Sequence, residues 1–411
     1  MDRIAGLIDR RALRRVALAV ALIGSLVGIA PHPVAADGGA PAEVATTDWR
    51  QVTTGDNFSC GLRTSGRLYC WGFDAEGQLG DGPPFASQSA PVEVAGGATN
   101  WASVDAGGSH ACARRTTGRL FCWGQDVFGQ VGDDSPYVNH DAPVQVAGGA
   151  TDWASVSAGR NHTCARRTTG RLFCWGADHS GQVGDGGPLG LVFSLPAPVE
   201  VFGGATEWAS VSAGQVHTCA RTTSGRLFCW GADGSGQLGN GSPNNDEAVP
   251  VEVLGAATTW SRVSAGGDHT CARKTNGRLF CWGDDGSGQL GNGGVVTADQ
   301  VAPVQVAGAS TDWISVSAGG LHTCARRTMG RLFCWGSDGF GQLGNGPVTP
   351  DQVAPVSAVA GTTWGAVSAG LYAHTCARRT SGRLFCWGND SAGQLGNGSP
   401  NTGTAAPVAV T

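Results

Sequence analysis

The sequence predicts an all-β protein: a seven-bladed β-propeller with four antiparallel strands per blade and one disulfide in each blade hairpin. Three observations carry that expectation. A unit of about 52 residues recurs seven times, shown by first cysteines at 60, 112, 164, 219, 271, 324 and 376. Every unit holds two Cys ten residues apart and two Trp, one opening the unit and one following the second Cys. Short runs rich in Val, Leu, Phe and Trp alternate with Gly and show no helical periodicity. Gly fills 67 of 411 positions, well above its usual ~7%, without a Gly-X-Y period, so tight turns are expected and collagen is excluded. A hydrophobic content of 41% excludes a disordered chain. Seven radial sheets fall within the usual propeller range, whereas a linear solenoid has shorter rungs and atypical end units.

Residues 1–36 read as a signal peptide. Arg3, Arg10, Arg11, Arg14 and Arg15 precede an apolar run from Val16 to Ala30, and Val34-Ala35-Ala36 supplies small residues for cleavage. That run is about 15 residues, short of the ~20 a membrane-spanning helix needs, so no membrane span is expected after cleavage. No Cys precedes Cys60, which excludes a lipid-modified cysteine at that point. Losing five Arg and two Asp takes the formal charge from −5 to about −8, against non-specific nucleic-acid binding. Lys274 is the only Lys, a bias that fits a GC-rich bacterial genome. Residues 37–48 form an N-terminal segment in which Pro41–Val44 offers a closure strand, and 49–411 make the propeller.

Within a unit, four strands are read from W-x-x-V, H-T-C-A-R, R-L-F-C-W and P-V-x-V. In the second unit, Cys112 to Cys122 folds about a three-residue loop, Thr116-Thr117-Gly118, with Gly in the left-handed place such a loop requires. Pairing outward sets Arg115 against Arg119, Arg114 against Leu120, Ala113 against Phe121 and Cys112 against Cys122. The Cys then occupy a non-hydrogen-bonded pair with Cα atoms ~4.5 Å apart, within reach of a disulfide. An even Cys count in an exported chain agrees. The expected bonds are Cys60–Cys70, Cys112–Cys122, Cys164–Cys174, Cys219–Cys229, Cys271–Cys281, Cys324–Cys334 and Cys376–Cys386.

The runs H-T-C-A-R-R-T-T-G-R-L-F-C-W-G and G-Q-L-G-N-G resemble the repeat of the regulator of chromosome condensation family, whose fold is a seven-bladed propeller. The resemblance covers essentially all of the chain after residue 36. It departs in the Cys pair, which reads as an adaptation to an oxidising compartment. It also implies closure by combining both termini in one blade, leaving one of the eight candidate P-V-x-V strands surplus.

Several residue sets invite a chemical reading. His110, His162, His217, His269, His322 and His374 precede the first Cys by two residues. Unit one has Phe58 there and oxidised thiols are poor ligands, so these His are read as structural, packed on the Gly of the opposite Trp-Gly pair and bonded to backbone. No metal site and no cofactor are expected. The Asp after Trp-Gly-x (Asp74, Asp126, Asp178, Asp233, Asp285, Asp338, Asp390) is read as capping its own turn. Arg67, Arg119, Arg171, Arg226, Arg278, Arg331 and Arg383 form a candidate anion-binding ring beside the hairpin turns. Across from them stand Arg63, Arg115, Arg167, Lys274, Arg327 and Arg379, with Thr222 in unit four. Opposed like charges need compensation, which stacking on Phe and Trp and pairing with acids would supply. Phe85, Tyr137, Leu191, Val192 and Phe193, in corresponding loops of three successive units, and Tyr372, an extra residue near the axis, are candidate partner-binding residues.

No nucleophile elbow, phosphate-cradling loop or unique catalytic pair is present, and every polar residue singled out is repeated. The expected function is a secreted, periplasmic or cell-surface, non-enzymatic binding propeller, monomeric, whose partner is a protein or cell-wall component. Inhibition of an extracellular enzyme is the specific alternative, and an extracellular hydrolase the more distant one. Relatives of this architecture include nucleotide exchange factors and ultraviolet photoreceptors. Exchange on a small GTPase does not fit an exported chain, and the G-x-x-H-T segments lack the Trp a photoreceptor cluster needs. Thiol titration of the native protein, and of the protein unfolded without reductant, is expected to find none of the 14 Cys free.

Overall fold

The computed structural model describes residues 47–411, apart from 136, 192, 243–244, 295–298, 360–361 and 400–401. The segment 1–36 and the strand candidate Pro41–Val44 therefore lie outside the described residues. Among those described, the strands form seven four-stranded antiparallel sheets, each paired in simple sequence order. In blade one the strands are Trp49–Thr54, Phe58–Arg63, Leu68–Gly72 and Gln88–Glu93. In blade seven they are Trp364–Ala369, His374–Arg379, Leu384–Gly388 and Thr404–Ala409. First strands line the axis and adjoin one another around the ring, blade one meeting blade seven. Among the described residues each blade is built from four consecutive strands, blade seven completed by its own fourth strand, Thr404–Ala409, and packed on blade one.

The hairpin register is the one the loop chemistry dictates. Cys112 pairs with Cys122, Arg114 with Leu120, and His110 with Gly124. The Gly118 N–H reaches the Arg115 carbonyl at 2.9 Å, with φ +79° at Gly118. All seven disulfides are formed, with Cα–Cα distances of 4.0–4.1 Å.

These disulfides face the seams between blades. Cys112, Leu120, Cys122, Val131 and Val146 of blade two pack on Trp153, Ala165 and Trp175 of blade three. Cys376, Cys386, Leu395 and Val410 of blade seven pack in the same way on Trp49 and Trp71 of blade one. The second Trp of each blade donates its indole N–H to the main-chain carbonyl of the preceding blade's Gln. Trp123 reaches Gln78 at 3.0 Å, Trp282 reaches Gln237 at 2.9 Å, and Trp71 reaches Gln394 across the closing seam at 2.9 Å. Glycine is required beside that indole. Gly239 has φ +67°, and a Cβ there would lie 2.4 Å from Trp282 Nε1.

The six His belong to the same seams. All are fully buried, and each Nε2 lies 2.8–3.0 Å from a hydroxyl of the next blade: Thr163, Thr218, Thr270, Thr323, Thr375 and, for His374, Ser59. Each hydroxyl donates in turn to the Gln carbonyl that accepts the indole, as Thr270 does to Gln237 at 2.9 Å. With the hydroxyl proton committed, the imidazole donates from Nε2. His110 pairs with Gly124 of the Trp-Gly pair as expected, but its imidazole lies against Gly107 of its own blade, and its partner is a hydroxyl where a backbone group was expected. Seam one–two carries no such bond: Phe58 replaces the His and Ala111 replaces the Thr, both in one apolar cluster.

Burial lowers each of these imidazoles from 6.5 to about 3. Below pH ~6.5 the unfolded chain takes up protons that the folded chain refuses, so this group loses stability as pH falls toward 3. The capping Asp oppose it. Burial raises Asp74, Asp178 and Asp233 to about 6, so their contribution is full below the unfolded value and is lost as pH rises through 6.

The Thr270→Ala variant, which strands a buried imidazole donor, is expected to lose about 1–3 kcal/mol by urea unfolding at pH 7. The pair His217→Phe with Thr270→Ala, copying seam one–two, is expected to lose less. That pair should also lose less stability than the wild type between pH 6.5 and 4.

Candidate functional site

Strand order gives the ring two faces. The turns between second and third strands lie at the end where first strands begin, since Trp49 pairs with Arg63. The connectors between third and fourth strands leave from the opposite end, since Gly72 pairs with Gln88. We call these the turn face and the loop face.

On the turn face the two predicted cation sets have different fates. Arg63, Arg115, Arg167, Lys274, Arg327 and Arg379 each stand over the opening Trp and the Phe or Tyr of their own blade, 4.2–5.5 Å from the ring centroids. Arg63, Arg167 and Arg327 also approach Asp48, Asp152 and Asp312 at 3.5–3.7 Å. Thr222, without a cation, is buried and bonds the Ser224 hydroxyl at 2.8 Å. Arg171, Arg331 and Arg383, across the strand, stand over the same Phe rings at 5.2–5.3 Å, so in these blades one ring carries both opposed cations.

Three members of the candidate anion ring are in ion pairs: Arg67 with Glu93 at 3.0 Å, Arg226 with Glu252 at 2.6 Å, and Arg171 with Glu200. Where the other blades have Gln145, Gln305, Ser357 and Ala409 on the paired strand, Arg119, Arg278, Arg331 and Arg383 lack that acid. A further basic group escaped the sequence reading. Arg221, Arg273, Arg326 and Arg378, from second strands, gather with Arg262 of a first strand near the axis. None of the five is ion-paired to a carboxylate among the described residues, and Nε of Arg221, Arg273 and Arg378 has no partner. Burial, then the charge of Arg262, lowers the pKa of Arg221, Arg273 and Arg326. The repeat hid them, because strand alternation sends the Arg after Ala toward the axis and the next residue, where it is a cation, to the aromatic stack.

Around the axis, a cavity of about 110 Å³ is lined by the ends of the first strands. Side chains there link blade to blade: the Ala158 N–H donates to Asp105 at 3.0 Å, the Ala213 N–H to Ser157 at 3.0 Å, and the Ala318 N–H to Ser264 at 2.9 Å. Asp105 is the single carboxylate at this ring position. Burial raises it to about 6, against the bonds it accepts from Ala158 and Thr53.

The loop face carries the asymmetry. Phe85 (52% exposed), Tyr137 (58%), Leu191 (75%) and Phe193 (68%) stand on the connectors of blades one to three, joined by Val138 and Leu189. The Tyr137 hydroxyl lies 3.2 Å from the Ser194 hydroxyl of blade three, and Asn139 donates to Glu76 of blade one. Val192 lies outside the described residues. Tyr372 is half exposed at the axial mouth, 6.1 Å ring to ring from Phe340. With Asp56, Arg160, Gln215, Leu321 and Leu371 it lines a cavity of about 240 Å³, and Arg160 pairs with Asp56 at 3.4 Å.

The predicted turn-capping Asp do cap their turns. One carboxylate oxygen accepts the N–H five residues on in every blade, from Asp74 with Leu79 at 2.9 Å to Asp390 with Leu395 at 2.9 Å.

Comparison with known proteins agrees with this architecture. Residues 29–320 match the family model of the RCC1-like domain, and residues 313–342 and 366–394 match that of the regulator of chromosome condensation (RCC1) repeat. The Arabidopsis thaliana ultraviolet-B receptor UVR8 is 31% identical over 84% of this chain and 78% of its own. The mitochondrial RCC1 domain-containing protein RUG3 of the same plant is 29% identical over 73% and 68%. Among solved structures, human WBSCR16 superposes with TM-score 0.74 at 22% identity, covering 84% of this chain and 94% of that one. Yeast RCC1 (Prp20), solved bound to Kap60, gives 0.72 at 17% identity, covering 96% and 91%. A match over most of the chain, laid on seven repeated blades, makes this protein a member of the RCC1-like domain family.

Proposed function

We propose that the chain is an exported, non-enzymatic interaction propeller that docks a protein partner on its loop face, across blades one to three. The observation that carries this reading is the run of exposed Phe85, Tyr137, Leu191 and Phe193 on corresponding connectors of three adjacent blades. Large apolar side chains held in neighbouring connectors are what a protein interface buries. Proteins of the same fold favour the same class: yeast Prp20 binds Kap60, Gsp1p and histones. Export rests on the basic, apolar and small-residue order of residues 1–36 and on seven buried disulfides, which persist in oxidising compartments. Those features support a secreted, periplasmic or cell-surface location.

A second reading places an anionic polymer on the turn face. It is favoured by Arg221, Arg262, Arg273, Arg326 and Arg378, gathered without acids.

Affinity capture from the native culture medium is expected to retain a protein on the wild-type chain. Replacing Phe85, Tyr137, Leu191 and Phe193 together by Ser should lower its affinity at least tenfold at unchanged thermal stability; undiminished capture by this variant overturns the docking site. For the second reading, binding to an acidic polysaccharide should weaken steeply as salt rises and with Arg262→Ala. Binding indifferent to salt overturns it.

A further inference from the structure

The structure assigns a divalent-cation site to blade two, formed by Asp126, Asp133 and His140 at the base of the connector that carries Tyr137. One ligand atom from each of the three lies within 4.8 Å of the other two. His140 Nε2 is 2.9 Å from Asp133 Oδ2, yet the approach lacks hydrogen-bond geometry, and Nε2 has no hydrogen-bond partner. Asp126 is fully buried, and its Oδ2 also has no partner.

Both carboxylates are already oriented. Asp126 Oδ1 accepts the Val131 N–H at 2.8 Å, and its own N–H is held by Asn139 Oδ1 at 2.9 Å. Asp133 Oδ1 accepts the Ser135 N–H at 3.0 Å. Each therefore has one oxygen tied to backbone and the other free to act as a monodentate ligand. His140 is fixed by strand pairing opposite Gly124. Three ligands on a tetrahedral ion stand about 3.3–3.6 Å apart and leave a fourth position for water, a spacing that small side-chain movements reach here. Burial, and then the charge of Asp133, raises Asp126 to about 7, a penalty that a bound cation reverses.

The repeats supply the contrast. The place of Asp133 is also Asp in blades one and three (Asp81, Asp185) and Asn240, Asn292, Asn345 and Asn397 in blades four to seven, whereas the place of His140 is Gln88, Gln300 and Gln352 in blades one, five and six. In blade six, Thr349 fills the role of a donor to the matching oxygen, Asp338 Oδ2, with its N–H at 3.1 Å and its hydroxyl at 2.6 Å. The same oxygen lacks a partner in blades one, four and seven, but among the described residues a second carboxylate and an imidazole converge on it in blade two alone. The imidazole selects a first-row ion such as zinc over calcium or magnesium, which prefer all-oxygen ligands. A cation here pins Asp133 to His140 and hence the Tyr137 segment between them. That consequence rests on the loop-face reading; the site itself does not.

The test uses the full exported chain freed of metal with EDTA, titrated with Zn2+ by calorimetry and with Co2+ by its visible absorption. One equivalent is expected to bind, without displacement by tenfold excess Ca2+. Both Asp133→Asn and His140→Gln place residues that the other blades accommodate, and each should weaken binding at least tenfold while leaving the circular dichroism unchanged. His179→Gln, altering the other partly exposed His among the described residues, should change nothing. Absence of one-equivalent binding, or affinity indifferent to both Asp133→Asn and His140→Gln, overturns the assignment. No partner is present in this measurement, so its failure leaves the docking proposal standing.

Discussion

Everything in the ring hangs on a main-chain carbonyl. In each seam that carries a His, the Gln carbonyl of one blade receives an indole N–H and a hydroxyl from the next, and both donors are buried. A buried donor without a partner costs more than the bond returns, so this geometry tolerates little displacement. It sets the distance between blades, and that distance sets the sequence. Gly must follow Leu or Val where the chain crosses the indole, and Ala or Gly must follow the first Cys where two Trp rings close over the strand. A Cβ on Gly61 would come within 2.5 Å of Trp49. The seam between blades seven and one repeats the same contacts.

Local chemistry was legible in the sequence wherever one short segment decides it. Thr116-Thr117-Gly118 determines the hairpin register, the register determines the Cys pairs, and Asp five residues before a buried Leu or Val caps its turn. What one unit contributes to another was not legible. The partner of His217 is Thr270, a blade away, and nothing within either unit says so. Phe58 stood out as a departure, but its complement Ala111 becomes visible only once seam one–two is seen to bury them together. Arg114 and Arg115 are neighbours in sequence that strand alternation sends to different environments. His140 opens a fourth strand, and nothing within its own unit marks it. Comparing that column across the repeats, where blades one, five and six have Gln, is the signal.

Sevenfold repetition also separates scaffold from function. A residue present in every blade serves the seam or the turn, as the disulfides, the Trp pairs and the capping Asp do. Individual departures point elsewhere: Asp105 among the axial hydroxyls, Arg262 on a first strand, Tyr372 in a lengthened inner loop, and the apolar connectors of blades one to three. They are spread over both faces and the axis, so the molecule has room for more than one contact without disturbing its frame. The family supplies the frame; these few positions are where this chain becomes particular.

The disulfides have a further consequence, in how the chain acquires them. Each bond joins residues ten apart across a single hairpin, and none links one blade to another. The correct mate of every thiol is thus its nearest cysteine along the chain, and closing so small a loop sacrifices little chain entropy. Fourteen thiols would ordinarily invite extensive mispairing; here oxidation can proceed hairpin by hairpin as the polypeptide emerges, ahead of any ring. Once adjacent blades dock, the finished bonds are enclosed beneath the indoles of the neighbour, sealed from reshuffling by assembly itself.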